Sequence, residues 1–239
     1  MRKKTVRVWM LLAALWGATA GAFADGPLAN AKVDVFVLGG GSTFIDEHYF
    51  YDAERTYLSY FKVGPKITAG FAVPYGPILC IELSYTYGPN NWVVQNNDVM
   101  PRVGVVYPVR YSSGNLSAII HVPYSKFHFR PYVDGGVEYV QFTPTKAAIK
   151  YALDYGFASA SMAYINANDK VGITVGFGVE RKLIKRLSLR IDLRDHVSGT
   201  PGFGIPLAPT AANPAPFIVQ GRSNNIVYTA GFVYRLGKL

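Results

Sequence analysis

The chain has 239 residues, half of them apolar, with 17 Tyr and 14 Phe, which suits one domain. A single cysteine, Cys80, excludes a fold braced by disulfides and a zinc site built on thiolates. The formal net charge is +9, but Arg2, Lys3, Lys4 and Arg7 supply four of those charges before the first acidic residue, so nucleic-acid binding gains little support.

Residues 1–24 read as a secretory signal. A basic start is followed by an apolar run over 8–22 and by Ala22-Phe23-Ala24, the small-residue pattern a signal peptidase cleaves. Residues 25–239 then form the expected domain. No later run reaches the roughly 18 apolar residues of a membrane-crossing helix.

Beyond the signal, the chain alternates apolar and small or polar residues with a period of two. That period sends successive side chains to opposite faces of a strand. The first segment, 32–38, is the least clear. The second, 67–73, alternates Ile67, Ala69, Phe71 and Val73 with Thr68, Gly70 and Ala72. The third, 79–87, sets Leu79, Ile81, Leu83, Tyr85 and Tyr87 against Glu82 and Ser84. The fourth, 116–122, begins upstream near Val103. The fifth, 133–139, places Asp134 and Glu138 opposite Val133, Val137 and Tyr139. The sixth, 171–180, alternates Val171, Ile173, Val175, Phe177 and Val179 with Gly, Thr and Glu. In the seventh, 187–194, Leu187, Leu189, Ile191 and Leu193 alternate with Ser188, Arg190, Asp192 and Arg194. The eighth, 226–236, carries Ile226, Tyr228, Ala230, Phe232, Tyr234 and Leu236 on one face.

Eight strands of about ten residues, tilted by about 40°, rise roughly 25 Å, the height of the apolar band of an outer-membrane barrel. The connections alternate. Segments 74–77, 123–128 and 182–186 are short, whereas 43–61, 88–102, 144–169 and 199–224 are long. Short periplasmic turns and long extracellular loops are the layout of such barrels. The last loop, rich in Pro between Pro201 and Pro216, reads as extended or mobile.

The predicted fold is therefore all-β: an eight-stranded antiparallel up-and-down transmembrane barrel. Its apolar face meets lipid, because reversing the seventh strand would put Arg190, Asp192 and Arg194 in hydrocarbon, at roughly 2–4 kcal/mol for one midplane Arg. The inward charges are Asp34, Lys66, Glu82, Arg130, Asp134, Glu138, Glu180, Arg190, Asp192, Arg194 and Arg235, and they are expected to pair. Eight strands leave room for little more than side chains, so a plugged interior is expected. Tyr85, Tyr87, Trp92, Tyr139 and Phe142 are expected to form the loop-side aromatic girdle, and Tyr75, Tyr124 and Tyr234 the turn-side one.

Several stretches carry a resemblance. They are Phe129-Arg130-Pro131-Tyr132-Val133-Asp134-Gly135-Gly136, Gly176-Phe177-Gly178-Val179-Glu180, Leu189-Arg190-Ile191-Asp192-Leu193-Arg194-Asp195 and the closing Thr229-Ala230-Gly231-Phe232-Val233-Tyr234-Arg235-Leu236. On these the chain resembles the small eight-stranded outer-membrane barrels of the OmpA/OmpX type, single-domain outer-membrane β-barrel proteins of the Gram-negative cell envelope. The resemblance implies export through the periplasm with chaperones and the barrel-insertion machinery. It implies a monomer among outer-membrane lipids and lipopolysaccharide, with no nucleic-acid partner. The implied role is structural, surface-contact or minor permeability. Members usually end on an aromatic residue, whereas this chain ends Gly237-Lys238-Leu239.

No catalytic, cofactor-binding or metal-binding residue is expected. His196-Val197-Ser198 resembles the His-x-Ser spacing of outer-membrane lipid A deacylases, where a serine nucleophile needs a base and an orienting carboxylate. No Asp or Glu follows Asp195, and strand parity turns both residues inward. Glu82 with Glu138, or Glu138 with Glu180, could act as carboxylate pairs, but ion pairing with arginine accounts for them better. His121 reads as an interior residue, and Gly39-Gly40-Gly41-Ser42 as a strand end without phosphate-binding spacing. A soluble lipocalin-like binder is the remaining alternative. No early Gly-x-Trp motif supports it, and Trp92 falls in a loop.

Overall fold

The computed structural model describes residues 32–52, 55–98, 104–122, 129–154, 167–203, 217–218 and 221–237. The proposed signal and Tyr124 lie outside them. Eight strands form a closed ring: β1 (Val33–Phe44), β4 (Gly64–Tyr75), β5 (Leu79–Asn96), β6 (Gly104–His121), β7 (Phe129–Pro144), β8 (Asn168–Lys182), β9 (Leu187–Gly199) and β11 (Arg222–Leu236). Each pairs antiparallel with its neighbours, and β1 closes the barrel by pairing with both β11 and β4. Closure removes the unpaired edges that an open sheet would leave.

Each of the eight sequence segments coincides with one of these strands, with only Lys32 and Val122 falling just beyond a strand end, and most strands run further. The stretch 88–102 expected as a loop is largely ladder, since β5 and β6 stay paired from Leu79↔Ile120 out to Gln95↔Gly104. The stretch 43–61 holds a hairpin of β2 (His48–Asp52) and β3 (Arg55–Phe61). Strand β3 pairs with the outer part of β5, and β10 (Phe217–Ile218) pairs with β2. Within 144–169 lies a helix, Lys146–Asp154, whose first turn is capped by Thr145 Oγ1 accepting from the Ala148 amide at 3.2 Å.

Parity sorts the faces as expected. Outward side chains include Val133, Val171, Phe177, Ile191 and Phe232, each more than half exposed. Inward ones include Glu82, Asp134, Glu138, Arg190, Asp192 and Arg194, all buried. Tyr75 and Tyr234 on the short-turn side, and Tyr87 and Tyr139 on the loop side, are exposed at the borders of the outward apolar band. Trp92 and Phe142 do not join that girdle. They share inward parity with Glu82 and Glu138, and they are 2% and 0% exposed. The alternation continues past the lipid-facing stretch, so the same rule that buries Glu138 buries Phe142.

Candidate functional site: the barrel interior

The interior fills in three levels. Nearest the short turns lies an ion-pair network. Arg190 reaches Glu82 at 2.6 Å and Asp192 at 2.9 Å. Arg194 reaches the other Glu82 oxygen at 2.8 Å, and Asp134 and Asp192 at 3.4 Å each. Arg190 Nε donates to the Tyr132 hydroxyl at 2.7 Å, and that hydroxyl donates to Asp192. The Arg190 guanidinium also lies 4.9 Å from the ring centres of both Phe36 and Tyr132, a stacking geometry open to a planar cation. Below it Asp34 takes a bidentate pair from Arg235 at 2.7 and 2.6 Å, and His121 stands 3.7 Å from Glu180.

Strand β8 makes room for this network. Three of its inward positions, 172, 176 and 178, are glycine: a Cβ at Gly176 would stand 2.7 Å from Arg194 Cγ, and one at Gly172 would stand 2.8 Å from Glu138 Oε1. Bulky side chains from β7 and β9 lie over that bare wall. The glycines therefore serve packing as much as curvature.

The middle level is made mostly of neutral polar side chains, with Lys66 and the Glu138–His196 pair as its ionisable groups. Thr68 and Thr86 share a hydrogen bond at 2.9 Å. Asn115 accepts from Thr174 at 3.1 Å and donates to Ser117 at 2.7 Å. His196 Nδ1 lies 2.6 Å from Glu138 Oε2, with the Tyr111 ring edge-on to the imidazole.

The top level is an aromatic plug. Phe44, Phe61, Trp92, Tyr107, Tyr111, Phe142 and Phe203 pack as one buried cluster with Val94, Val109 and Val140. Ring centres of Phe44 and Phe61 are 4.5 Å apart, and those of Trp92 and Phe203 are 4.8 Å apart. Phe203 comes from the loop expected to be extended. It holds a left-handed φ of 47°, unfavourable for a bulky residue, and its near-complete burial offsets that cost. Residues 204–216 lie outside the described residues.

Three inward charges behave differently from expectation. Among the described residues Lys66 pairs with no carboxylate. Its ammonium donates to Asn90 Oδ1 at 2.5 Å and to the Pro89 carbonyl at 3.3 Å, and it stands 5.2 Å from the Tyr111 ring centre. Arg130 donates to the Pro77 carbonyl at 2.6 Å, at the turn. Glu138 pairs with His196 rather than with an arginine. Neither suggested carboxylate pair forms, because Glu82, Glu138 and Glu180 each face a different cation or imidazole.

His196 and Ser198 both sit inside the barrel, 3% and 8% exposed. Glu138 of β7 does supply the carboxylate that the sequence lacked downstream. Yet Ser198 Oγ donates to the Gly199 carbonyl at 3.4 Å, and the inward parity keeps both side chains away from an acyl chain on the outer face. Among the described residues no group of three or more His, Cys, Asp or Glu is placed to hold a metal ion.

A closed eight-stranded antiparallel barrel with a side-chain-filled interior and an apolar outer belt is the architecture of small outer-membrane barrels. Solved structures of that kind match over most of the chain. The outer membrane protein OprG from Pseudomonas aeruginosa aligns with a TM-score of 0.58 at 13% identity, covering 86% of this chain and 96% of that one. AlkL, an outer membrane protein solved in lipid bilayers, aligns at 0.49 and 15% identity, covering 87% and 91%. Neisserial surface protein A aligns at 0.45 and 13%, covering 86% and 96%. The match to OprG carries the fold. No family model and no curated protein sequence matches the chain.

Proposed function

We propose that this chain is an integral outer-membrane barrel protein of a Gram-negative envelope, without catalytic activity, that acts through its extracellular surface rather than by conducting solutes. One observation carries the reading. The outer face is a continuous apolar belt, while the interior is closed twice, by ions below and by aromatic rings above.

The belt favours lipid over water. Exposed Val171, Ile173, Val175 and Phe177 follow one another on the outer face of β8 alone, and a soluble lipocalin-like barrel would leave them wet. The double closure favours a plugged barrel over a pore. The surface role rests on the outer sheet. On β5 the outward residues beyond Tyr87 turn to Pro89 and Asn91, and there β3, β2 and β10 extend the ladder away from the ring. That extension offers a platform for contact outside the membrane. Outer-membrane lipid and lipopolysaccharide would surround the belt, with chaperones and the insertion machinery acting during biogenesis.

The test is extraction and conductance. The chain should need detergent to leave membranes, migrate faster on gels before boiling than after, and give no step conductance in planar bilayers. Release in water as a monomer would end the membrane reading, and steady conductance would end the plugged one.

A further inference from the structure

The short turn between β8 and β9 carries charge and grease that the barrel does not use. Six consecutive residues, 181–186, are exposed: Arg181, Lys182, Leu183, Ile184, Lys185 and Arg186. The turn is ordered, since the amides of Leu183 and Ile184 both donate to the Leu187 carbonyl, at 2.9 and 3.2 Å. Leu183 and Ile184 are nonetheless 46% and 64% exposed at its tip. Arg181 stacks over Phe129 at 5.2 Å. Lys182, Lys185 and Arg186 have no carboxylate within salt-bridge distance among the described residues. They line a shallow depression with Ser188 and Arg235, whose only acids, Asp34 and Glu180, already face Arg235 and His121.

Two aliphatic side chains flanked by cations at the end of a membrane strand match a lipid interface in both chemistries. Aliphatics gain by entering the acyl boundary, and lysine and arginine gain by reaching phosphate. The short-turn end also carries the outward Tyr75, Phe129 and Tyr234, the side chains that sit at headgroup level. We propose that this turn binds the headgroup of an anionic phospholipid of the periplasmic leaflet. Lys182, Lys185 and Arg186 take the phosphodiester, and Leu183 and Ile184 enter the acyl region beside it. The inference rests on the membrane reading above. It assigns the turn a lipid class that the apolar belt alone does not select.

Electron spin resonance tests it. The protein, isolated from membranes of an expressing host, is reconstituted in phosphatidylcholine vesicles doped with spin-labelled phosphatidylglycerol or spin-labelled phosphatidylcholine. The motionally restricted fraction of each label is then compared. The wild type should restrict more phosphatidylglycerol than phosphatidylcholine. The triple variant Lys182→Gln, Lys185→Gln, Arg186→Gln should lose that excess while keeping its heat-modifiable migration. Raised salt should weaken the preference in the wild type. Equal fractions in the wild type, or an excess unchanged in the variant, would overturn the proposal. So would loss of the preference on adding inorganic phosphate at fixed ionic strength, which would assign the cations to a free anion. Failure of the wild type to enter any vesicle is a different result and would overturn the membrane reading with it.

Discussion

The two ends of the barrel interior solve one packing problem with opposite chemistry. Toward the short turns, Glu82, Asp134, Asp192, Arg190 and Arg194 fill the lumen with charge. Toward the loops, Phe44, Phe61, Trp92, Phe142 and Phe203 fill it with rings. Each charge in the first region depends on named partners in fixed geometry, so losing one strands the others in a buried site. The second region depends on area and shape, so it can relax around a change. Buried ion pairs add little net stability compared with apolar residues of the same volume, but they are costly to break from one side. The lower region should therefore be brittle and specific, and the upper one more tolerant.

The sharpest way to break this comparison is Arg190→Met. It should cost about 3–5 kcal/mol, because Glu82 and Asp192 each lose a close cation. Pairing it with Glu82→Met should recover part of that loss, since Arg194 retains Asp134 and Asp192. Urea unfolding in detergent micelles, read by heat-modifiable migration, gives both numbers. A double variant no better than the single one would mean that the network is not a unit.

Next in size is a test of the face assignment on which both regions depend. Leu189→Arg should cost roughly 2–4 kcal/mol and block insertion, as an arginine turned to lipid does. Ser188→Arg, one residue away and inward near the turn, should be better tolerated. Equal insertion of the two variants would reject the inside–outside assignment and both regions with it.

A milder pair sharpens the contrast. Phe142→Leu keeps the plug apolar and should cost about 1 kcal/mol, an ordinary value for a single substitution. Asp192→Asn changes fewer atoms yet should cost more, because it removes charge from between two guanidiniums and next to Tyr132. The same unfolding assay should rank Asp192→Asn as the more damaging. The reverse order would make the aromatic end the brittle one.

The lower region was more legible in the sequence than the upper one, for a physical reason. Period-two alternation is strict where one face must meet hydrocarbon, and there it marks Arg190, Asp192 and Arg194 as inward. Past Tyr87 and Tyr139 the outer face no longer needs to be apolar, the contrast fades, and Trp92 and Phe142 read as girdle residues although their parity is unchanged. Phe203 was harder still, because a residue in a Pro-rich loop carries no period at all. The Glu138–His196 pair joins residues 58 apart through the β7–β8–β9 registers, and stagger between strands leaves no mark on one strand's pattern. The β2–β3 hairpin is short and pairs with the ring only through the outer part of β5, so no membrane imposes a period on it, although Phe61 and Tyr57 of β3 join the plug.

That hairpin yields the smallest expected effect. His48 lies in β2, outside the barrel ring, and it is buried with its Nδ1 3.4 Å from Thr200 Oγ1. Burial holds its pKa below the usual 6.5, only partly countered by the Asp46 carboxylate. The sign follows from linkage. Below pH 6.5 the unfolded segment takes up a proton that folded His48 resists, so the stability of the outer sheet present above that pH is lost as the pH falls. Hydrogen exchange in β2 and β3, corrected for intrinsic rates, should quicken from pH 7 to pH 5 while the barrel strands stay protected. His48→Gln should flatten the response. A pH-independent wild-type hairpin, or a barrel that loosens in step with it, would show that the outer sheet and the ring are one cooperative unit rather than a platform resting on a plugged barrel.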